Sequence, residues 1–513
     1  MRLTVLIPIR PFLLVLLLLM PGLPALAQSP LADLIKAGDR DAALAMIRAG
    51  ANVNQTQPEG SSPLLWAVYQ VDVELVAALL RSEADPNSAN NFGATPLAEA
   101  VRLANPVLVS RLLDAGADPN MTNEDGQTPL MLAAWTGDVA VAELLLAHGA
   151  RVNGEEQWTG QSALMWAAAR NHPDMTRLLI DHGAEVSVRA RSFDWSVQIT
   201  AEPRGQYRPA GGLTPLLYAA RAGCLECVKT IVTAGADIEL PTPEGVTPLI
   251  VAIDNFHFDI AHFLLDAGAA PDNFDWWGRT PLYTAIDVRT IESRGRRLDA
   301  VGQQQALDLA RRLLEMGVFV DPVLNFGRPG EGGGNGRFSD EHLSTGTTPL
   351  LRAAVSHDAE AARLLLEHGA EVDYPNIFGA TPLMVASGLA TPRGMLSDGS
   401  VYAAPDVEER AIATLQLLLD AGADINARVT DTSSYTAFIP RHNAMTDREG
   451  QTAIYGPGKW GWMKVARFLL EHGADVDVTD AFGKTPVDSA LGQAGGEQEE
   501  VWEELAELLR QAG

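Results

Sequence analysis

The chain has 513 residues, of which 47% are apolar and 20% are charged, a composition that excludes an intrinsically disordered chain. Lys and Arg number 38 against 65 Asp and Glu, and the formal net charge of −27 argues against nucleic acid or an anionic membrane surface as the main partner. Two cysteines exclude a disulfide scaffold and a four-cysteine zinc site.

The first 27 residues have the three parts of a secretory signal peptide. Arg2 and Arg10 give a positive start, residues 12–20 are an unbroken apolar run, and Ala25-Leu26-Ala27 has the small-x-small form of a cleavage site. The run is shorter than the roughly 20 residues of a membrane span, and no later segment is long and apolar enough to be one. We therefore predict a cleaved signal at 1–27 and a mature chain, 28–513, in the periplasm or outside the cell, an oxidising compartment.

From residue 62 onward a short phrase recurs with a basic period of 33 residues. Its full form is Thr-Pro-Leu with a glycine two residues before the threonine, and it begins at Thr95, Thr128, Thr214, Thr247, Thr280, Thr348 and Thr381. Variant copies begin at Ser62, Ser162, Thr452 and Thr485. The spacings that differ from the period all exceed it, which indicates insertions between repeats. A fixed period of this length predicts a solenoid of stacked repeats rather than several separate domains.

Each repeat contains the signals of two short helices. The threonine is suited to cap the first helix, and the proline fits its first turn, where no backbone hydrogen bond is lost. The second helix carries a leucine run such as residues 144–146 and ends in Gly-Ala, as at Gly149-Ala150, where glycine adopts the left-handed cap conformation. One such pair cannot bury its apolar face alone, so neighbouring pairs must share a core.

These features resemble the ankyrin repeat. The 33-residue period, the phrase T-P-L-x-x-A, the leucine run and the G-A-D-x-N endings at residues 116–120 and 422–426 match that family over roughly residues 31–513. The resemblance implies an all-α repeat solenoid of about 12 stacked helix pairs, caps included, with hairpin fingers along one edge. It also implies a protein-binding role and supplies no catalytic residues.

Five insertions interrupt the repeats, near residues 188–211, 289–304, 321–346, 389–407 and 427–449. Three of them directly precede a new repeat and lengthen its finger, and the other two fall between the helices of one repeat. Long loops in compact proteins are usually either functional or disordered. We therefore expect the insertions to wall a groove over the middle and C-terminal repeats. Neutral surface growth is the alternative, because long loops cost little free energy.

Aromatic and basic side chains in the fingers and at variable positions of the repeat are the predicted binding residues, since these side chains are the usual anchors of interfaces. The inserted fingers contribute Arg191, Trp195, Tyr207 and Tyr435. Positions around the finger glycine, or at the end of the first helix, contribute Tyr69, Phe92, Trp135, Trp158, Trp276, Trp277, Arg279, Asp287, Phe378 and Trp460. The alternative for each is packing against a neighbouring repeat.

The repeat that begins at Thr452, the tenth counted from the copy at Ser62, departs from the pattern in its first helix. Residues 455–462 read Y-G-P-G-K-W-G-W, and two glycines around a proline are expected to shorten or abolish the helix. Such a failure of the local rules marks a candidate site. The alternative is a decayed repeat that the preceding insertion stabilises.

Signals of catalysis, metals and cofactors are weak. Cys224 and Cys227 form a C-x-x-C with no histidine after it and no βαβ pattern around it, which argues against haem attachment and thioredoxin-like chemistry. A local disulfide and two thiols, with Cys227 in the core, both remain open. The chain contains no common metalloprotease, hydrolase, P-loop or EF-hand motif. We predict no catalytic residue, no metal and no cofactor.

Three hypotheses of function follow. The first is an exported, non-catalytic scaffold that binds a protein partner through its concave face and fingers. The alternative is a small-molecule or glycan-binding protein, or an unrecognised enzyme, with a pocket under the insertions of the C-terminal half. The third is a structural spacer, which the aromatic residues at variable positions disfavour. The sequence fixes neither the partner nor the oligomeric state.

Overall fold

The computed structural model describes residues 30–195, 208–290, 298–325, 346–377, 379–389, 405–430, 448–492 and 501–513. The chain divides into two compact units, residues 1–157 and 158–513, which we call the N-terminal unit and the C-terminal unit. The predicted signal peptide and the central part of each predicted insertion lie outside the described residues.

The N-terminal unit, as described from residue 30, is built from four helix pairs. Within the unit, the first helices of successive pairs pack against one another. The helices are α1 (Pro30–Lys36), α2 (Arg40–Arg48), α3 (Pro63–Tyr69), α4 (Val73–Arg81), α5 (Pro96–Arg102), α6 (Pro106–Asp114), α7 (Pro129–Thr136) and α8 (Val139–Ala147).

The C-terminal unit continues the same alternation. Its first helices are α9 (Ala163–Ala169), α11 (Pro215–Ala222), α13 (Pro248–Asp254), α15 (Pro281–Val288), α17 (Pro349–Val355), α19 (Pro382–Ala386), α21 (Gly456–Trp460) and α23 (Pro486–Ala490). Its second helices are α10 (Pro173–Asp181), α12 (Leu225–Thr233), α14 (Phe258–Asp266), α16 (Ala300–Glu315), α18 (Ala359–Glu367), α20 (Val407–Asp420), α22 (Met463–Glu471) and α24 (Glu503–Ala512). The predicted all-α repeat architecture is confirmed.

Capping residues define the ends of these short helices. The hydroxyl of Thr95 accepts a hydrogen bond from the backbone N–H of Ala98 at 3.1 Å, and Pro96 occupies the first turn of α5. Second helices often begin with Asp or Asn instead, as where Asp72 accepts from the N–H of Leu75 at 2.9 Å. Glycines after the second helices have positive φ, 88° at Gly149. The capping pattern predicted from the sequence is therefore confirmed.

At four places an asparagine side chain links one turn to the next. Asn87 donates from Nδ2 to the carbonyl oxygen of Gly116 at 3.0 Å and accepts from the N–H of Asp118 at 2.7 Å. Corresponding pairs of bonds are made by Asn54, Asn120 and Asn426. The last residue of the G-A-D-x-N ending thus satisfies backbone groups of the following repeat, which fixes the stacking register.

The described parts of two insertions form regular structure. Strands β1 (Ser192–Trp195) and β2 (Arg208–Gly211) pair antiparallel, with Ser192 opposite Gly211, and extend the first inserted finger. Helix α16 has 16 residues, whereas the second helix of most repeats has nine. The predicted inter-helix loop at 289–304 therefore ends earlier than expected, because residues 300–304 form the start of α16.

The tenth repeat keeps a helix despite its glycines. A 3₁₀ turn, Ala453–Tyr455, leads directly into the five-residue α21. A Cβ added at Gly456 would meet the backbone of Ser387 and lie 2.6 Å from the nitrogen of Leu389, and one at Gly458 would lie 2.6 Å from Oγ of Ser489. The glycines thus allow close approach of the neighbouring first helices, which is a structural reason for the departure from the pattern.

Candidate interaction surface

Five of the predicted binding residues are large, exposed aromatic side chains. The exposed fractions are 54% for Tyr69, 71% for Phe92, 46% for Trp135, 66% for Trp158 and 57% for Trp276. Large aromatic side chains are usually buried, because they carry the greatest apolar area. Their exposure at repeated positions therefore requires an explanation other than core packing.

The exposed aromatic residues occupy two places in the repeat. Tyr69 and Trp135 lie in the last turn of the first helices α3 and α7. Phe92 and Trp276 lie at the turns of fingers, where backbone hydrogen bonds join neighbouring fingers; the N–H of Trp276, for example, donates to the carbonyl oxygen of Glu244 at 2.9 Å. Arg191 is likewise exposed, and its N–H donates to the carbonyl oxygen of Thr159 at 2.6 Å.

Trp460 is half-buried and packs within the C-terminal unit. Its indole Nε1 donates to the carbonyl oxygen of Gly388 at 3.0 Å, and its ring stacks on that of Trp462 with centroids 5.9 Å apart. The Trp462 ring in turn meets the buried imidazole of His357 edge-on at 5.6 Å. Trp460 therefore makes most of its contacts within its own unit.

Three predicted binding residues, Trp277, Arg279 and Asp287, are buried instead of exposed. Arg279 donates to Asp254 at 3.0 Å and to Asp275 at 2.8 Å, and its guanidinium lies 5.6 Å from the Trp277 ring centroid. The placement of these three side chains on a recognition surface is thus wrong. Two carboxylates and an aromatic ring hold the Arg279 guanidinium inside the unit.

Burial and charge act in opposite directions on the pKa values of this cluster. Burial raises the pKa of Asp275, although the neighbouring Arg279 counteracts the shift. Burial alone lowers the pKa of Arg279, but Asp254 and Asp275 more than compensate, so the pKa of this guanidinium is raised overall. Arg279 therefore remains charged inside the unit.

Two further arginines make buried ion pairs between consecutive repeats. Arg352 in α17 donates from Nε to Oδ1 of Asp287 in α15 at 2.6 Å and from Nη2 to the Asp287 carbonyl oxygen at 3.2 Å. Arg289 donates to Asp358 at 2.7 Å and to Glu360 at 3.1 Å. Charged side chains are seldom buried without such partners. The buried charges thus connect the repeats on both sides of the insertion near 321–346.

The side chains of the remaining predicted binding residues lie outside the described part of the chain. Tyr207, Phe378 and Tyr435 lie outside the described residues, and of Trp195 only the backbone in β1 is described. Other exposed aromatic side chains escaped the sequence reasoning, namely Phe274, Phe319 and Phe482. Phe482 had a usable signal, because it directly precedes the finger glycine Gly483 as Phe92 precedes Gly93.

The two cysteines form a disulfide, Cys224–Cys227, at the start of α12. Both residues are buried, so the disulfide belongs to the core between repeats and not to the surface. Among the described residues, no group of three or more His, Cys, Asp or Glu side chains is arranged to hold a metal ion. Within the same residues, no helix has the length and apolar character needed to cross a bilayer.

Family models confirm the repeat. Models described as ankyrin repeats in three copies match residues 31–121, 103–190, 199–275 and 216–293, a many-copy model matches 164–229 and 451–501, and a single-repeat model matches 345–377. The chain belongs to the ankyrin-repeat family.

Curated relatives share only part of this chain. This chain is 28% identical over 244 residues to a putative palmitoyltransferase ZDHHC13 of Danio rerio, and the match covers 44% of this chain and 32% of the relative. It is 31% identical over 168 residues to human ankyrin repeat and SOCS box protein 16, covering 28% and 33%, respectively. Identity to human protein phosphatase 1 regulatory subunit 27 is 44% over 61 residues, covering 12% and 40%. The chain thus spans about a third of the length of the first two relatives.

Proposed function

We propose that residues 28–513 form an exported, non-catalytic scaffold that binds a protein partner through its first helices and fingers. Ankyrin repeats suggest protein partners, and relatives named as a phosphatase regulatory subunit and SOCS box proteins are in keeping with an adaptor role. The exported location and the identity of the partner are part of the proposal.

The exposure of aromatic residues at finger turns carries this proposal. Phe92 in the N-terminal unit and Trp158, Trp276 and Phe482 in the C-terminal unit present rings to solvent at turns that the repeat places in sequence. Aromatic residues are enriched among the side chains that dominate binding energy at protein interfaces. A surface that keeps such rings exposed is therefore suited to a protein partner.

Two features support export. The first 27 residues have the charged start, apolar run and cleavage site of a signal peptide. The Cys224–Cys227 disulfide is a bond that persists in oxidising compartments and is rare in the cytosol. Both agree with a mature protein in the periplasm or outside the cell.

Affinity capture with matched variants tests the proposal. Tagged mature protein is exposed to its own cell-envelope extract beside a Trp158→Ala/Trp276→Ala variant and a Phe319→Ala control. Phe319 is also an exposed aromatic residue of the C-terminal unit, but its position in the repeat is the turn after the second helix α16 and not a finger turn. We expect a protein retained by the parent and the control and lost from the folded double variant. Retention of no specific protein by folded parent would contradict the proposal and favour a small ligand.

A further inference from the structure

One position in the repeat forms a row of side chains in the N-terminal unit. Lys36, Tyr69, Arg102 and Trp135 follow one another at intervals of 33 residues, each in the last turn of the first helix of its repeat. The helices that carry them, α1, α3, α5 and α7, pack side by side in this order. We call these four residues the inner row. Cationic and aromatic side chains alternate along it.

The two cations of the inner row already have partners in the unit. The ammonium of Lys36 lies 4.7 Å from the ring centroid of Trp66 and 3.9 Å from Oε1 of Glu59. Arg102 donates to both carboxylate oxygens of Glu99, at 2.9 and 2.6 Å. This face thus holds a lysine between a ring and a carboxylate and an arginine on a bidentate carboxylate.

The two aromatic members of the row are partly exposed, and the Tyr69 ring meets that of Trp66 edge-on with centroids 5.7 Å apart. Tyr69 and Trp135 are about half exposed, and Phe92 stands at the turn of the finger that leads into α5. The finger that leads into α7 presents exposed Glu124 and Asp125 at its turn. The first helices and fingers of this unit thus present both exposed rings and exposed carboxylates, and a ring with a carboxylate is the combination that holds Lys36 within the protein.

The charge of the unit determines which partner suits this face. Residues 30–157 contain 17 acidic and seven basic residues, a net charge of −10. Such a field attracts a basic segment and repels another acidic chain, including a second copy of this protein, whose formal charge is −27. An entirely apolar partner would desolvate the finger carboxylates without compensation.

We propose that the inner row binds a basic segment of the partner protein, with Lys or Arg side chains on the rings of Tyr69 and Trp135 and close to Glu124 and Asp125. This inference rests on the proposed function and specifies the chemistry of the partner. It differs from that function in assigning the contact to the N-terminal unit and in requiring positive charge on the partner.

The probe is a phage-displayed library of random 12-residue peptides, selected on immobilised mature protein. We expect selected peptides to be enriched in Lys and Arg. Synthetic copies should bind more weakly as salt concentration rises, because exposed charges are screened. Binding should fall about tenfold in a Tyr69→Ala/Trp135→Ala variant, given the usual strength of cation–π contacts, and also in Glu124→Lys/Asp125→Lys. The Phe319→Ala control should bind as the parent does.

The outcomes separate this inference from the proposed function. Selected peptides without basic enrichment, or an absence of selected peptides, overturn the inference even where affinity capture succeeds. Basic peptides that bind the folded Tyr69→Ala/Trp135→Ala variant as tightly as the parent also overturn it, because charge alone then accounts for binding. Failure of affinity capture through Trp158 and Trp276, by contrast, counts against the proposed function.

Discussion

Arg352 and Asp287 are 65 residues apart in the sequence, yet their side chains form a buried ion pair with Nε and Oδ1 at 2.6 Å. The pair joins the first helices of two consecutive repeats, α15 and α17, although the insertions near 289–304 and 321–346 separate them in the chain. Each side chain is almost completely inaccessible to solvent. The contact thus gives the interrupted part of the stack a specific polar connection in addition to its apolar core.

Removing one member of this pair is expected to destabilise the C-terminal unit strongly. Asp287→Asn leaves the Arg352 charge buried without its carboxylate, and such changes cost about 3–5 kcal/mol. The free energy of unfolding in urea, followed by tryptophan fluorescence, measures the loss. Asp287→Leu/Arg352→Met removes both charges and should recover much of it. Lys464→Gln, which breaks an exposed pair with Glu409, is the control and should have no measurable effect. Equal stability of Asp287→Asn and parent would contradict this view.

His357 is expected to make stability depend on pH. Burial, with a smaller contribution from the charge of Arg410, lowers the pKa of His357 to about 4, despite the hydrogen bond between Nε2 and the carbonyl oxygen of Ala386. Between the unfolded pKa near 6.5 and this value, the unfolded state binds a proton that the folded state excludes. Stability is therefore fully present above pH 6.5 and decreases as the pH falls towards 4.

The decrease attributable to His357 is about 2 kcal/mol between pH 7 and pH 5. Urea unfolding of the parent and of His357→Asn at both pH values isolates this contribution, because the other titrating groups are common to both proteins. Asparagine tolerates the positive φ of 54° at this position. An identical pH dependence in the two proteins would show that His357 does not titrate as its burial requires.

The glycines of the tenth repeat are expected to be required for close packing. Gly456→Ala places a methyl group against the backbone of Ser387 and Leu389, and overpacking of this kind costs about 1–3 kcal/mol. Gly154→Ala is the matched control, since its Cβ would meet only ordinary contacts, the nearest at 3.5 Å from Thr128. The thermal unfolding midpoints of the Gly456→Ala and Gly154→Ala variants, compared with that of the parent, measure the two effects. A stable Gly456→Ala variant would mean that α21 and α19 do not approach as closely as the structure has them.

The disulfide provides a test that is independent of the partner. Mature protein isolated without reductant should release no titratable thiol on unfolding and two after reduction, because Cys224 and Cys227 are its only cysteines. Cys224→Ser/Cys227→Ala should lower the unfolding free energy by about 2 kcal/mol, the chain-entropy value for so short a loop. Two free thiols in the isolated native protein would contradict the oxidised state.

Cleavage of the signal peptide is expected to produce a mature chain that begins at Gln28. The apolar run and Ala25-Leu26-Ala27 direct this step, since signal peptidase requires small residues at the cleavage site. Intact-mass measurement of protein isolated from the cell envelope or medium locates the new N-terminus. Substitution of Ala27 by Arg should cause accumulation of the precursor. Uncleaved, full-length protein as the only form in the parent would overturn the predicted signal.

Local sequence predicted the repeated parts of the fold well. Thr95, Pro96 and Gly116 act through contacts within a few residues, so their roles as cap, first-turn residue and helix stop follow from the sequence. Phe92 and Trp276 were predicted to be exposed because the register alone places them at finger turns.

Long-range packing explains what the sequence reasoning missed. Asp287 occupies a position that is exposed at Tyr69, Arg102 and Trp135, and it is buried because it pairs with Arg352 of the next repeat. Arg279 is held inside the unit in part by Asp254 of the preceding repeat. The repeat period does not encode the Asp287–Arg352 pair, because two insertions separate its partners in the chain. The glycines of α21 likewise have a packing role that becomes visible only when α19 and α23 are beside them.

Photo-crosslinking at the fingers determines whether a protein partner contacts the finger turns of the intact chain. A photoreactive phenylalanine analogue replaces Trp276 in the full-length chain inside its own cells, and the same analogue at Phe319 is the control; both positions are exposed. We predict one dominant crosslinked protein from position 276 and none, or the same one much more weakly, from 319. Equal or absent crosslinking from both positions, in protein shown to be folded, would contradict the account.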